Sequence, residues 1–487
     1  MPIEKLTLLH SNDMHGDFLA ELRAGEGTLI GGLSLLAGYI NQVRRTQENV
    51  IFAVAGDMLQ GSLIDTEYRG ISTMDVMNYL APDVVTLGNH EFDYGLPQLL
   101  FLEKMAHFPI VNANLYLKPY NRRLMIPYLV LQRGHIRTLF IGVITEKVLA
   151  ELSKDPLIST FISLAEVSEE VRRIVNAYKG EDIDLTVLLT HIGYEADLEL
   201  AAMLDPALGV DLIIGGHSHT ILEKPTVVNG ILIAQAGVGT DQIGRFDLQI
   251  DTDENRIVAY DWQLVPIDSR MALPDAQLEA HIKHYSEAVD RKYETILCHL
   301  ARTLTHPDRT VETELGNLTA DILAEVARAD VALMGSGAIR LPELGPLVTL
   351  RDFMACFPFA DSLSKFKITG ARLKRIFAHF MRPENRTGQG ECYQVNAGVR
   401  AVYDNAARQL VSLKVRGKPV VDDRVYSVCI TGYHLRSCAQ FLNITYEELS
   451  EIPRPRIIAT SMQDVLEEYL RSNQNIARKV EGRLVYR

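Results

Sequence analysis

Polar residues follow the short apolar runs in the first half of this chain, and this pattern constrains the fold more than any other feature. The runs cover residues 6–9, 50–55, 84–87, 139–144, 185–190 and 210–214, with amphipathic stretches between them. Such alternation predicts a layered α/β domain. Because ligands bind outside the carboxyl ends of strands in α/β sheets, the residues that end these runs are the candidate functional residues.

Side chains able to bind a metal occupy these run ends. They are Asp13 and His15 in SNDMHG, Asp57 in VAGDMLQG, Asn89 and His90 in LGNHEFDYG, His191 in LLTHIGYE, and His217 and His219 in IIGGHSHT. Oxygen donors mixed with imidazoles suit divalent ions such as Mn, Zn, Fe or Mg, whereas a thiolate zinc site needs cysteine. All five cysteines fall after residue 290, so a thiolate site is not expected here.

Each motif taken alone has an ordinary structural interpretation. A DxH triplet often arises by chance, Asp57 could cap a following helix, and Asn89 could be a turn residue. His191 could be a hydrogen-bonded histidine at a strand end. The motifs occur together, however, within residues 13–219. Their oxygen and nitrogen donors suffice for two metals bridged by one carboxylate, an arrangement that predicts a dinuclear hydrolase.

The bulk properties of the chain limit its class. Its 487 residues, 47% hydrophobic and 23% charged, predict two folded domains. The net charge of −13 argues against a nucleic-acid polymer or an anionic membrane as a partner. No run approaches the roughly 18 apolar residues of a membrane span, and no signal peptide is recognisable. We therefore expect a cytoplasmic protein, or a secreted or periplasmic one if a leader was removed. The sequence predicts no particular oligomeric state.

The chain is predicted to divide at its middle. Residues 268–300 begin with a proline-containing turn and continue as a charged helical pattern, which indicates a connection between domains. A second α/β alternation follows, with a helix over 315–328, a strand over 331–334 and a strand-rich stretch over 393–430. We therefore predict a domain over 1–268, a linker helix over 269–305 and a second domain over 306–487.

These motifs resemble those of a known family. DMH, GD, GNHEFD, H and GHSH, in this order, are similar to the calcineurin-like metallophosphatase superfamily, and SNDMHG with GNHEFDYG resembles its 5′-nucleotidase branch. GNLTADIL, GSGAIR, FPF, ITG and QVNAGVRAVYD extend the resemblance into the second domain. The resemblance implies a four-layer α/β/β/α phosphatase domain followed by a smaller α/β (α+β) substrate-specificity domain.

The resemblance also implies roles for the motif residues. One divalent metal ion would be held by Asp13, His15, Asp57 and His219, and a second by Asp57, Asn89, His191 and His217. Mn, Zn, Fe, Co or Mg would suit these donors. A hydroxide held by the metals would attack phosphorus. His90 is not expected to be a ligand but to stabilise the charge that develops on the phosphate, with Asp93 orienting its ring.

Substrate contacts are expected from the second domain. By resemblance, Arg340 at the end of GSGAIR and Arg375 after ITG would bind phosphate or carboxylate oxygens, although surface solvation is the ordinary alternative for both. Tyr433 and Tyr393 are the candidate rings to stack on a base, and a core role for Tyr433 is the alternative. The Gly-Gly-Asp-Gly turn usual in the family is replaced here by residues 437–440, Ser-Cys-Ala-Gln.

The predicted function is a metal-dependent phosphoric ester hydrolase acting on a small phosphorylated substrate. A 5′-nucleotidase, which releases phosphate from nucleoside 5′-monophosphates, is favoured by the resemblance. The same centre could instead cleave UDP-sugars at the pyrophosphate or hydrolyse 2′,3′-cyclic nucleotides. A nucleotide-binding protein without turnover is the non-enzymatic alternative, and the complete ligand set argues against it.

Overall fold

The computed structural model describes residues 3–23, 27–117, 122–144, 163–386, 391–452 and 454–487. The chain divides into two compact units, Met1–Val289 and Asp290–Arg487, here called the first and second units. The division falls inside the segment 269–305 that the sequence assigns to the connection. Within the described ranges, no helix is both long and apolar enough to cross a membrane.

Two six-stranded sheets form the first unit. In spatial order, the first sheet contains Arg256–Pro266, Gln242–Asp251, Ile3–Ser11, Val50–Ala55, Val84–Thr86 and Ile110–Val111. The second contains Thr226–Val228, Ile231–Ala234, Leu212–Ile214, Leu185–His191, Ile136–Ile144 and Tyr128–Arg133. The neighbouring strands from Ile3–Ser11 to Ile110–Val111, and from Ile136–Ile144 to Ile231–Ala234, are parallel. Each sheet therefore gathers several carboxyl strand ends at one edge.

Alternate residues of each strand lie on opposite faces of its sheet. Leu8 of the first sheet shares a buried cluster with Val187 of the second, so the inner faces of the sheets pack together. Leu188, one residue further on, instead joins the outer cluster with Val171 and Leu200, which lie on helices. Helices also cover the first sheet, and Leu33–Thr46 packs against its strand Val50–Ala55. The predicted four-layer α/β/β/α architecture is confirmed.

The helices of the first unit have recognisable local causes. In Leu164–Ala177, the residues Val167, Val171 and Ile174 are buried at a helical spacing, and Ser163 forms a capping box with Glu166. Among the described residues, the α-helices are Leu33–Thr46, Leu63–Tyr68, Ile71–Leu80, Leu96–Met105, Leu164–Ala177, Tyr194–Met203 and Ala276–Tyr293. The last of these runs across the division between the units. His90–Phe92 and Pro206–Leu208 are 3₁₀ turns. Short strand pairs join Glu21–Leu22 to Leu29–Ile30 and Tyr116–Leu117 to Arg122–Arg123.

The second unit combines a five-stranded sheet with a four-stranded one. The five strands are Tyr393–Val395, Val331–Gly335, Val425–Thr431, Leu363–Thr369 and Arg456–Ala459, and the four are Lys418–Pro419, Gln409–Val415, Val399–Asp404 and Leu484–Tyr486. The α-helices are Glu314–Ala327, Leu350–Cys356, Gly370–Phe380, Gly432–Arg436, Cys438–Leu442, Tyr446–Leu449 and Met462–Ser472, with 3₁₀ turns at Ser336–Ala338 and Pro383–Asn385. Leu304–Thr305 pairs with Glu343–Leu344. The two larger sheets and helix Gly370–Phe380 share one buried cluster.

The end of the predicted linker helix differs from the structure. The helix ends at Tyr293, and Ile296–His299 form a strand that pairs with Leu347–Thr349. Cys298 in this strand is fully buried, as are the other four cysteines, and all five are unpaired. The apolar character of these last residues therefore reflects a strand of the second unit rather than a helix face.

Candidate metal centre

The loops after the parallel strands of both sheets bring the predicted metal ligands together. Donor atoms of Asp13, His15 and His219 lie within 4.8 Å of one another, and so do those of Asp57, His191 and His217. Asn89 belongs to the same place, because its Oδ1 lies 3.0 Å from Nδ1 of His217.

His191 and Asp57 form the most deeply buried part of this site. His191 donates from Nδ1 to the Ala55 carbonyl at 2.8 Å, so Nε2 is the ring nitrogen left to face the other donors. That Nε2 lies 3.1 Å from Oδ2 of Asp57, yet the geometry makes no hydrogen bond, and Nε2 has no hydrogen-bond partner among the described residues. Burial lowers the pKa of His191, but Asp57 outweighs it and raises that pKa to about 9. The site therefore favours a positive charge between these two atoms.

His15 and His219 meet in a similar way. Their Nε2 atoms are 3.1 Å apart, and Nε2 of His219 lies 3.5 Å from Oδ1 of Asp13. Two imidazole nitrogens at this distance repel unless one carries the proton or a cation lies between them. The donor set consists of carboxylate, amide and imidazole atoms, which is the chemistry of sites for hard or borderline divalent metals. The residues present thus fit a metal site.

The backbone of the predicted ligands is unusual. Asp13, His15, Asp57, His217 and His219 all have positive φ, at 51°, 49°, 52°, 81° and 53°. Residues other than glycine adopt this left-handed region at a cost of order 1–3 kcal/mol each and keep it only where the surroundings enforce it. Such conformations concentrate at functional sites.

Glu91 is one group that enforces this geometry, and the sequence interpretation missed it. Its carboxylate is buried and accepts hydrogen bonds from the backbone N–H groups of Gly88, Asp57, Met58 and Leu59, at 2.5, 3.0, 2.7 and 3.3 Å. Glu91 therefore fastens the loop of Asp57 to the loop of the predicted ligand Asn89. Its position in GNHEFD was the only sequence signal for this role.

A second buried acid supports the other two loops. Asp197 accepts from Oγ1 of Thr190 at 2.6 Å and from Nε2 of Gln235 at 2.9 Å. Gln235 in turn accepts from Oγ of Ser218 at 3.0 Å. Thr190 precedes His191, and Ser218 lies between the two histidines of GGHSHT, so the network links both motifs. Burial raises the pKa of Asp197 to about 7.

His90 lies beside the ligand groups with a different kind of partner. It donates from Nδ1 to Oδ2 of Asp93 at 2.6 Å, and its backbone N–H donates to Oδ1 of Asp57 at 2.9 Å. The hydrogen bond to Asp93 raises the pKa of His90. The His90 ring also meets the edge of His15, with centroids 5.2 Å apart. A half-exposed imidazole that favours its protonated form can stabilise negative charge.

The four substrate candidates of the second unit separate into two pairs. Arg340 and Tyr433 line a cavity of about 590 Å³, within the size range of small-molecule sites. Tyr393 is 2% exposed and packs edge-on against Phe380 in the core. Arg375 holds both carboxylate oxygens of Glu448 at 2.6 and 2.7 Å, and it does not line the cavity either.

Comparisons with known proteins agree with the fold. Residues 6–220 match the family model described as calcineurin-like phosphoesterase, and residues 294–444 match the one described as 5′-nucleotidase, C-terminal domain. Together with the clustered donors, the first match makes the chain a calcineurin-like metallophosphatase, an enzyme that hydrolyses phosphoric ester bonds and uses divalent metal. With both domains in this order, the chain belongs to the 5′-nucleotidase family.

Relatives align over nearly the whole chain. It is 27% identical to a 5′-nucleotidase of Mus musculus, with 99% of this chain and 90% of the relative covered. It is also 27% identical to a 5′-nucleotidase of Vibrio vulnificus (strain CMCP6), with 97% and 91% covered. The crystal structure of a 5′-nucleotidase precursor from Thermus thermophilus is similar with a TM-score of 0.63, 26% identity and 99% coverage of both chains.

Proposed function

We propose that this protein is a 5′-nucleotidase that releases phosphate from nucleoside 5′-monophosphates and uses two divalent metal ions. The main support is the convergence of seven oxygen and nitrogen donors from five loops of the first unit, with buried Nε2 of His191 lacking a hydrogen-bond partner among the described residues. The relatives named 5′-nucleotidase support the choice of substrate.

The donors divide into two sets that share one carboxylate. Asp13, His15, Asp57 and His219 would hold one metal, and Asp57, Asn89, His191 and His217 the other. Bound divalent cations would supply positive charge that polarises the phosphate and lowers the pKa of water. Burial raises the pKa of Asp57, yet His191 outweighs burial and lowers that pKa below its usual value, which favours an ionised carboxylate that can bind cations.

His90 would act directly on the substrate phosphate. Because its Nδ1–H is engaged by Asp93, the proton that it can offer is the one on Nε2. A cationic imidazole beside the reacting phosphate stabilises the charge that develops on the phosphoryl oxygens. Asp93 fixes the ring and favours the protonated form, so it serves as a positioning residue.

The cavity of the second unit is a candidate site for binding a nucleotide. Arg340 is exposed there, its guanidinium lies 5.3 Å from the ring centroid of Phe359, and among the described residues no carboxylate pairs with it. It would bind oxyanions of the ligand. Tyr433 is 51% exposed and offers a face for a base, while its backbone N–H is held by the Asp361 carboxylate.

A substrate screen on the metal-reconstituted full chain tests the proposal. Nucleoside 5′-monophosphates, UDP-sugars, 2′,3′-cyclic nucleotides and ribose 5-phosphate are compared by kcat/KM after metal stripping and reloading with Mn²⁺. We expect the monophosphates to have the highest kcat/KM and stripped protein to be inactive. A preference for UDP-sugars or cyclic nucleotides, or full activity without divalent metal, would contradict the proposal.

A further inference from the structure

The cavity of the second unit is lined by an acid and an imidazole that the proposed function does not use. Nε2 of His434 lies 3.6 Å from Oε2 of Glu391, and both residues line the cavity. Among the described residues, neither Nε2 of His434 nor Oε1 of Glu391 has a hydrogen-bond partner. His434 is only 4% exposed. Buried polar atoms without partners are unfavourable, so the pair is poised to bind a polar ligand.

His434 is held in one orientation by its surroundings. Its Nδ1 lies 2.9 Å from Oγ1 of Thr431. The rings of Tyr393, Tyr433 and Phe441 meet the His434 ring at centroid distances of 5.1, 5.1 and 5.6 Å. A ring fixed in this way loses little conformational entropy on binding, which favours a recognition role.

Glycines of the GSGAIR turn leave space for the pair. A side chain at Gly335 would overlap the imidazole of His434. A Cβ at Gly337 would stand 3.8 Å from Oε1 of Glu391, so the turn borders the carboxylate as well. The glycine turn thus shapes the wall on which both polar groups lie.

The hydrogen-bond capacity of the pair defines what it can recognise. If Nδ1 of His434 accepts from the Thr431 hydroxyl, Nε2 carries a proton and faces Glu391, which leaves Oε1 of Glu391 as a free acceptor. An ionised carboxylate accepts but never donates, and it repels phosphate. The matching ligand group is therefore an N–H or O–H beside an acceptor. Every standard base carries such a neighbouring donor and acceptor.

We propose that Glu391 and His434 read the N–H-bearing edge of a nucleobase that stacks on Tyr433. The inference rests on the proposed nucleotide substrate and deepens it, because it makes the base itself a recognised group. Such recognition selects base-bearing nucleotides over base-free phosphate esters. It gives Glu391 and His434 a role in substrate specificity.

Equilibrium binding of nucleosides to the full chain tests this inference without any need for turnover. Adenosine, guanosine, cytidine and uridine are titrated by calorimetry, and the one that binds most tightly is compared with its analogue lacking the N–H, which for adenosine is purine riboside. We expect wild type to bind the parent nucleoside with a Kd lower than that of the analogue by about tenfold or more. This is the effect expected from losing one hydrogen bond to a charged group. Glu391→Gln should reduce the preference to about threefold or less, because a neutral amide oxygen accepts a weaker hydrogen bond than a carboxylate does.

A matched variant controls for the change of charge. Glu384→Gln alters an exposed glutamate that is ion-paired with Arg408, and it should keep the wild-type preference. An unchanged preference in Glu391→Gln with a normal unfolding temperature, or no nucleoside binding to wild type, would overturn the inference. If Glu391-dependent binding occurs but no nucleotide is hydrolysed, the proposed function fails while the recognition pair stands. If nucleotides are hydrolysed and Glu391→Gln leaves the preference intact, only the pair is refuted.

Discussion

His191 and His90 show how the hydrogen bond of one ring nitrogen decides the task of the other. His191 donates its Nδ1 proton to a backbone carbonyl, and its buried Nε2, which has no hydrogen-bond partner among the described residues, faces Asp57 and is available to a metal. His90 gives the same proton to the Asp93 carboxylate, which raises its pKa and favours a cation. Side chains of one type can therefore serve as ligand and as charge stabiliser within the same site.

Replacing His90 by asparagine separates these two tasks. We expect His90→Asn to lower kcat by about a hundredfold or more, comparable to the loss of a positioned charge stabiliser. Its metal content should stay at the wild-type value, because His90 is outside the proposed ligand sets. Steady-state kinetics combined with metal analysis of the purified variant measures both.

The matching control is His135→Asn, which alters an exposed histidine in the turn between strands Tyr128–Arg133 and Ile136–Ile144. This variant should have wild-type kcat. Loss of metal from His90→Asn together with activity would make His90 a ligand and contradict the assignment.

At the scale of elements, the strand-end loops lie so close together that some positions have no room for a side chain. A Cβ on Gly88 would overlap Oδ1 of Asp57 and would stand 2.6 Å from the Asp57 backbone nitrogen. We expect Gly88→Ala to destabilise the first unit by about 1–3 kcal/mol, the usual cost of overpacking. The displaced Asp57 should also weaken metal binding. Thermal unfolding and a metal titration measure the two effects.

Gly180→Ala is the control for this substitution, because no atom lies within 4 Å of the added Cβ. Its effect on stability should stay within about 0.5 kcal/mol, as for ordinary surface substitutions. Wild-type metal affinity in Gly88→Ala would show that the loops tolerate the shift and that the close approach has no functional meaning.

The sequence predicted the elements that carry periodicity, and the structure confirms the layered fold. The apolar run over 50–55 is the strand Val50–Ala55, and the helix over 315–328 is Glu314–Ala327. The sequence could not reveal Glu91 or Asp197, because Glu91 bonds to backbone groups and Asp197 to neutral side chains. Such partners leave no signature of residue type.

The substrate cavity was the least predictable feature, for a related reason. Its walls come from segments as distant in sequence as Arg340 and Tyr433, and no short motif specifies their contact. Tyr393 illustrates the difficulty, because its neighbour Gln394 lies in a motif of the family while its own ring is directed into the core. Successive side chains of a strand point to opposite faces, so a motif at Gln394 does not place the ring of Tyr393 beside the cavity.

At the scale of the whole molecule, each unit has its own buried core, so unfolding can be followed in each. Trp262 is the only tryptophan of the chain and lies in the first unit, where its ring meets Phe246 with centroids 4.6 Å apart. Ligands that bind only the folded state stabilise it, by about 2.7 kcal/mol at a hundredfold excess over Kd. We expect chelation of divalent metal to lower the unfolding temperature reported by tryptophan fluorescence.

The second unit supplies the internal control for this experiment. It contains none of the proposed metal ligands. Its unfolding is followed by the part of the circular dichroism transition that does not coincide with the fluorescence change. Chelation should leave that part unaffected. Equal shifts of both transitions would refute metal binding confined to the first unit, and the absence of any shift would argue against a metal site of functional affinity.

The positive φ angles of the five ligand residues have a consequence for evolution and engineering. Glycine at Asp13, His15, Asp57, His217 or His219 would relieve the backbone while removing a donor. Stability and catalysis are therefore opposed at these positions, and selection for heat resistance alone would erode the active site. Variant libraries of this enzyme need an activity screen beside the stability screen, since the sequences with the most relaxed backbone would be among the inactive ones.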